Sequence, residues 1–315
     1  MNIFCHPEER SKSASRRTLL AGYVLFTRNI ETLEQTRALN DALRELYPTD
    51  LSPILAIDQE GGRVVRLHDN VASIPAAAEL GARNDPQECC ETGAQVARDL
   101  VRAGFNLNFA PVLDLAVNPS NTVIGSRSFG SDPQRVATFA GAFARGMREH
   151  GIAVTYKHFP GHGSTSVDSH FDLPHIDLDE TTFRARDLAP FTQLLTEGQC
   201  SVMAGHMVVH AFDAENPATL SPSVLTEILR GEIGFEGVCF TDCLQMDAIA
   251  RTVGTAAAAP RAIAAGADCI VISRGIDDAF ACVDAIEGAV EERTLSLSRL
   301  QEAYNRVKAL RASLR

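Results

Sequence analysis

Seven short apolar runs recur along the chain, each followed by a stretch of helical periodicity, with no Pro-, Gly- or Ser-rich linker to interrupt the alternation. They are GYVLF (22–26), PILAID (53–58), FNLNFAPV (105–112), AVTYKH (153–158), CSVMAGH (200–206), GVCFTD (237–242) and DCIVIS (268–273). Apolar residues at helical spacing mark 31–46, 86–103, 133–150, 179–197, 222–230, 255–265, 279–292 and 296–313. Strands in strict alternation with helices predict a parallel sheet covered by helices. The expected fold class is α/β, a (β/α)8 TIM-type barrel, with a doubly wound open sheet as the competing arrangement. The polar leader ahead of that first run offers only NIF (2–4), so the first barrel strand is expected to be missing or degenerate. Residues 1–17 (MNIFCHPEERSKSASRR) are polar, charged and aperiodic and read as a disordered or non-native leader, leaving 18–315 as a single barrel domain.

The remaining bulk properties exclude whole classes of function. No uninterrupted apolar run approaches the ~20 residues of a membrane span, and the N-terminus lacks the order of a secretory signal. A formal charge of −11 argues against a nucleic-acid partner, which is usually held by a basic face. The eight cysteines show no CxxC spacing and fall mostly in apolar segments, as reduced thiols of a cytoplasmic protein do. The expectation is a cytoplasmic monomer without membrane or nucleic-acid partners.

Polar residues collect where the strands end. Asp58 follows ILAI, Asp114 follows FAPVL, Lys157 and His158 follow AVTY, His206 follows VMAG and Asp242 follows VCFT. In α/β barrels the carboxyl ends of the strands face the active site, so these endings converge on one mouth.

The densest cluster is KHFPGHGSTSVDSH (157–170). As a metal site it would use His158, His162, His170 and His175 with Asp168 and Asp172, but the spacing matches no zinc signature. As a phosphate cradle it would use backbone N–H groups near Gly161 and Gly163, yet it is not a P-loop. As acid/base machinery it would pair Asp168 with His170, the carboxylate orienting the imidazole, while Asp242 serves as a fixed carboxylate. Its glycines and hydroxyl residues then read as a hinge and lid.

Together with IDQEGGRVVRL (57–67), FAPVLDL (109–115), IGSRSFG (124–130), VMAGH (202–206) and GVCFTDCLQMDAI (237–249), this stretch resembles glycoside hydrolase family 3. More narrowly, it is similar to the single-domain bacterial β-N-acetylhexosaminidases of cell-wall recycling, with matching blocks in order from residue 22 to about 313. The resemblance implies that Asp242 is the nucleophile of a covalent glycosyl-enzyme, that His170 is the general acid/base and that Asp168 orients it. It also implies that Asp58, Arg66, Arg127, Lys157 and His158 hold substrate hydroxyls, with His206 either contacting substrate or lying behind those that do. The implied substrate is a terminal β-linked GlcNAc on a muropeptide-type fragment, and no metal or other cofactor is implied. Retention normally needs two carboxyl groups about 5–5.5 Å apart; a carboxylate-backed histidine keeps a proton donor active near neutral pH.

The chain departs from the family pattern at Ser126 and Ser164, where Asp is usual, and at Thr241-Asp242-Cys243, where Ser-Asp-Asp is usual. Transfer of the sugar to phosphate on the same scaffold is the nearest alternative, and an inactive sugar-binding homologue is a further one. His162 and His175 read as structural, Asp114 as a strand-end hydrogen-bond partner and Asp247 as a helix-start carboxylate.

Overall fold

The computed structural model describes residues 2–4, 20–47, 51–165 and 173–314. Its strands in chain order are β1 (Asn2–Phe4), β2 (Leu20–Leu25), β3 (Ile54–Ile57), β4 (Leu107–Asn108), β5 (Ala153–Phe159), β6 (His175–Ile176), β7 (Ser201–Ala204), β8 (Val208–Val209), β9 (Cys239–Cys243) and β10 (Cys269–Val271). Eight close a barrel in the order β1-β10-β9-β7-β5-β4-β3-β2, while β6 and β8 pair as a separate small sheet. From β2 round to β10 the barrel strands run parallel. β1 pairs antiparallel with both β2 and β10, so the NIF stub fills the eighth place in reverse direction.

Both faces of the strands are buried, which is why they read as continuous apolar runs. Strand alternation sends Ala21, Val24, Ile54, Ala56, Leu107, Met203, Phe240, Cys269 and Val271 into the barrel interior. The intervening Tyr23, Leu25, Leu55, Ile57, Val154, Tyr156, Val202, Cys239 and Ile270 pack outward beneath the helices. Inside, Phe109 meets Phe240 edge to face at 5.3 Å.

Sequence signals set the helix starts. Asp85 and Asp132 cap the helices Pro86–Arg102 and Pro133–Glu149, each accepting from first-turn amides while proline occupies the first helical position. Two expectations are corrected. The 105–112 run contributes only Leu107–Asn108 as strand, because the buried Asn106 and Asn108 amides take over the edge bonding. Asn106 accepts from Leu55 N at 2.8 Å, and Asn108 both accepts from Gln59 N and donates to Gln59 O at 2.9 Å. The 179–197 run divides into Glu180–Ala185 and Ala189–Leu195, because Pro190 lacks the N–H needed to continue one helix. The break leaves the buried Asp187 free to bond the loop after β5. A short helix, Ala77–Arg83, lies where none was expected.

At the opposite end of the barrel from the site, Asp268 is fully buried and ties β10 to the C-terminal helix Leu297–Ser313. It accepts from Arg230 at 2.5 Å, Arg299 at 2.6 Å, Arg306 at 3.2 Å and Cys239 N at 2.9 Å. Removing one partner of a buried ion pair typically costs ~3–5 kcal/mol, through the uncompensated charges left behind. Asp268→Ala is therefore expected to lower the urea unfolding free energy by about that amount, with Asp268→Asn falling between it and wild type.

Candidate active site

β3 delivers two carboxylates, Asp58 and Glu60, at its carboxyl end. Gln59 between them is the staple: its amide donates to Leu67 O at 2.9 Å and accepts from Arg66 N at 2.8 Å and Leu67 N at 3.1 Å. This folds the segment 60–67 back over the barrel mouth and presents the Arg66 side chain to it. β5 supplies both Lys157 and His158 to the mouth. The Lys157–His158 peptide is cis, and the register against β7 shifts between Lys157 and Phe159. β9 supplies Asp242, whose Oδ1 accepts from Cys243 N at 2.7 Å.

These side chains enclose a cavity of about 270 Å³ lined by Asp58, Glu60, Arg66, Arg127, Lys157, His158 and Asp242, with Phe26, Phe109, Met203 and Met246 as its apolar wall. That volume lies at the small end of ligand pockets, which run ~300–1,000 Å³, and suits one sugar ring rather than a chain of them.

The charges are interlocked. Lys157 Nζ lies 2.7 Å from both Asp58 Oδ1 and Glu60 Oε1. Arg127 grips Glu60 in a fork, Nε to Oε2 at 2.8 Å and Nη2 to Oε1 at 2.7 Å. Burial works to raise the Glu60 carboxyl, but Arg127 and Lys157 outweigh it and hold the group well below the usual carboxylate range. Burial likewise disfavours the Lys157 ammonium, yet Asp58 and Glu60 raise its affinity for the proton. Asp242 is also lowered, burial being outweighed by His206, then His158, the Cys243 amide and Lys157. Arg66 Nε is buried without a hydrogen-bond partner among the described residues, and its guanidinium stands 5.8 Å over the Phe26 ring. It retains donor capacity at the cavity wall.

Asp114, fully buried, orders the opposite wall. It accepts from His158 N at 3.1 Å, His158 Nδ1 at 2.6 Å and His162 N at 2.7 Å. With Nδ1 donating to a carboxylate, His158 presents Nε2 to the cavity.

The loop after β5 departs from the expected lid in its described half. Gly161 to Thr165 are clamped: Asn121 donates to His162 O at 2.8 Å, Asn118 to Thr165 O at 2.9 Å, and Ser164 to Asp187 at 2.6 Å. A Cβ on Gly163 would come within 2.3 Å of Leu115 O, and one on Gly161 within 2.9 Å of Asp187 O at φ +135. The glycines thus serve close packing rather than a phosphate cradle or hinge. Asp168 and His170, the expected acid/base pair, and Asp172 lie outside the described residues.

Further placements concern the other histidines. His206 does not line the cavity; both its ring nitrogens are spent on protein atoms, Nδ1 on Thr219 Oγ1 at 2.8 Å and Nε2 on Cys243 O at 3.0 Å. His175 sits exposed on β6, stacked on His210 at 5.1 Å between ring centroids, while His162 is buried against Thr165. Among the described residues no three His, Cys, Asp or Glu groups converge as a metal site, and no helix is long and apolar enough to cross a membrane. Sequence reasoning missed Glu60, Gln59, Asn121 and Asp187. Only Glu60 carried a signal, as a second carboxylate two residues beyond Asp58.

A cavity of interlocked charges with a fixed carboxylate, at the carboxyl-end mouth of an α/β barrel, stands where barrel enzymes carry their active sites. The sequence profile of the glycosyl hydrolase family 3 N-terminal domain matches residues 3–310. The chain is 43% identical over 252 residues to a β-hexosaminidase of Pseudomonas aeruginosa, covering 79% of this chain and 74% of that one. It superposes with a TM-score of 0.91 and 37% identity on a family 3 β-N-acetylglucosaminidase from Paenibacillus sp. str. FPU-7, covering 95% of this chain and 59% of that longer one. A family 3 glycosyl hydrolase from Mycobacterium smegmatis matches with a TM-score of 0.82 and 30% identity over 97% of this chain and 99% of that one. The chain belongs to glycoside hydrolase family 3 and is a glycosidase.

Burial pushes the His162 imidazole down to about 4, against the opposing pull of Asp114. Between that value and the ~6.5 of an unfolded histidine the unfolded chain binds more protons, so stability rises with pH across this window. Acidification from pH ~6.5 to ~4 is expected to cost roughly 3 kcal/mol through His162. Glu60, Asp114 and Asp242, lowered in the fold, add their losses only as pH falls below about 4.5. Denaturant unfolding at stepped pH should show both stages, and His162→Gln should flatten the upper one.

Proposed function

We propose that the chain is a retaining exo-β-N-acetylglucosaminidase, removing terminal β-linked GlcNAc from peptidoglycan-derived muropeptide fragments in the cytoplasm. The observation that carries this reading is Asp242, held anionic at the wall of a cavity sized for one ring, in a chain whose β-hexosaminidase relatives cover four-fifths of its length. Asp242 attacks the anomeric carbon while His170, oriented by Asp168, gives its proton to the leaving oxygen. The glycosyl ester is then opened by water that His170 deprotonates. Lys157, Asp58, Arg127 and Arg66 receive the ring hydroxyls through charge-assisted hydrogen bonds, which are the stronger kind, and His158 Nε2 joins them. Because the charged groups already neutralise one another, they need not reorganise when positive charge develops at the anomeric carbon.

The test compares aryl β-GlcNAc with aryl β-glucoside for wild type, Asp242→Ala and His170→Ala. Wild type should prefer the GlcNAc glycoside. Asp242→Ala should lose at least ~10³-fold in kcat/KM, and His170→Ala ~10²–10⁴-fold, less with an activated phenol that leaves without a proton. Full activity in Asp242→Ala would overturn the nucleophile. Sugar 1-phosphate formed in phosphate buffer would reassign the acceptor from water to phosphate.

A further inference from the structure

His206 follows β7 and is 1% exposed, directly behind the carboxyl end of β9. Its proton count can be worked out from its partners. Nε2 faces Cys243 O at 3.0 Å, a carbonyl that can only accept, so Nε2 carries a proton. Nδ1 faces Thr219 Oγ1 at 2.8 Å. That hydroxyl has a single hydrogen, and two further neighbours, Gly205 O at 2.6 Å and Ala204 O at 3.2 Å, are carbonyls. An oxygen 2.6 Å from a carbonyl must donate to it, since two lone pairs at that separation repel. Thr219 therefore has only a lone pair left for His206, and Nδ1 carries a proton as well.

A ring that donates from both nitrogens is an imidazolium. We propose that His206 is held as a buried cation and acts as a positioning residue for Asp242, keeping that carboxylate ionised and making it a better leaving group from the glycosyl-enzyme. The protonation state stands on the hydrogen-bond geometry alone; the catalytic consequence rests on Asp242 being the nucleophile. A buried cation without a counter-charge would be costly, and among the described residues Asp242 is a carboxylate that His206 acts upon. Among the described residues, the ionisable groups disposed about the two include Asp242 and Cys243 of β9 and Lys157 and His158 of β5. Lys157 is already tied to Asp58 and Glu60, and His158 to Asp114, which leaves Asp242 as the carboxylate His206 acts upon. After burial, His206 is also the foremost influence on the Asp242 carboxyl, ahead of His158 and Lys157.

The benefit falls on the second half-reaction. Water attacks the anomeric carbon, the carbon–oxygen bond to Asp242 breaks with its electron pair returning to the carboxylate, and the water proton passes to the general base. The charge that reappears on Asp242 is met by a fixed imidazolium that needs no reorganisation.

Ring-nitrogen NMR of ¹⁵N-labelled wild type tests the protonation state without turnover, the His206 signals being those lost in His206→Gln. Two protonated ring nitrogens persisting to about pH 8 are expected; a single protonated nitrogen at pH 7 overturns the proposal. Thr219→Val keeps the side-chain shape, removes the acceptor and should return the ring to its neutral form. In that variant the acid limb of kcat/KM on aryl β-GlcNAc should move up by ~1–3 pH units, as expected when an opposite charge is removed from beside a carboxylate. A burst of released phenol should appear, with kcat and KM falling together as the glycosyl-enzyme accumulates. An unmoved acid limb with no burst, in a variant whose imidazolium signal is gone, overturns the catalytic role. Wild type that fails to turn over the glycoside counts against the proposed function alone, because the NMR readout is independent of it.

Discussion

The Lys157 ammonium is the constraint on which the site depends. It is almost wholly buried, and an isolated ammonium there would be untenable; it survives because Asp58 and Glu60 each approach it to 2.7 Å. Sharing Glu60 with Arg127 extends the pair into a chain of alternating sign that crosses from the end of β3 to the 125–127 turn. Glu60 and Lys157 hold each other in the charged form, with Arg127 reinforcing Glu60, against the burial that would otherwise neutralise them. The same chain sets donors and acceptors around one cavity in positions that do not relax when substrate hydroxyls arrive.

Around that chain the barrel supplies rigidity by unusual means. Asn106, Asn108 and Gln59 replace much of the β3–β4 ladder with side-chain amides, so the segment carrying Asp58, Glu60 and Arg66 is pinned more tightly than a two-residue strand could manage. Asp114 does the same for β5, accepting three N–H groups from His158 and His162 and so joining the strand end to the start of the loop. The segment Gly161–Thr165 becomes a fixed post, packed against Leu115 and Asp187.

Much of this was legible in the sequence. The strand endings named Asp58, Asp114, Lys157, His158 and Asp242, and of these Asp58, Lys157, His158 and Asp242 fall on one cavity with Arg66 and Arg127. His206 was legible as a strand-end residue, but which of its two expected places it takes depends on Thr219, thirteen residues downstream in the 3-10 turn Ala218–Leu220. Glu60 escaped because its role exists only once Lys157 and Arg127, far along the chain, are brought to it. Asp187 escaped because an unbroken helical period hid the Pro190 break that exposes it to the loop.

By itself the sequence determined the α/β barrel, since strict alternation of doubly buried strands with amphipathic helices has few other solutions, and it determined which residue types stand at the strand ends. Only the tertiary structure decided which charges meet, which glycines are required by backbone contact, and that the short first strand runs against its neighbours. Those outcomes turn on distances between residues dozens of positions apart. Periodicity reports which face of an element is buried; it carries no information about what lies opposite that face, and the protonation of Lys157, Glu60, His162 and His206 is set entirely by what lies opposite.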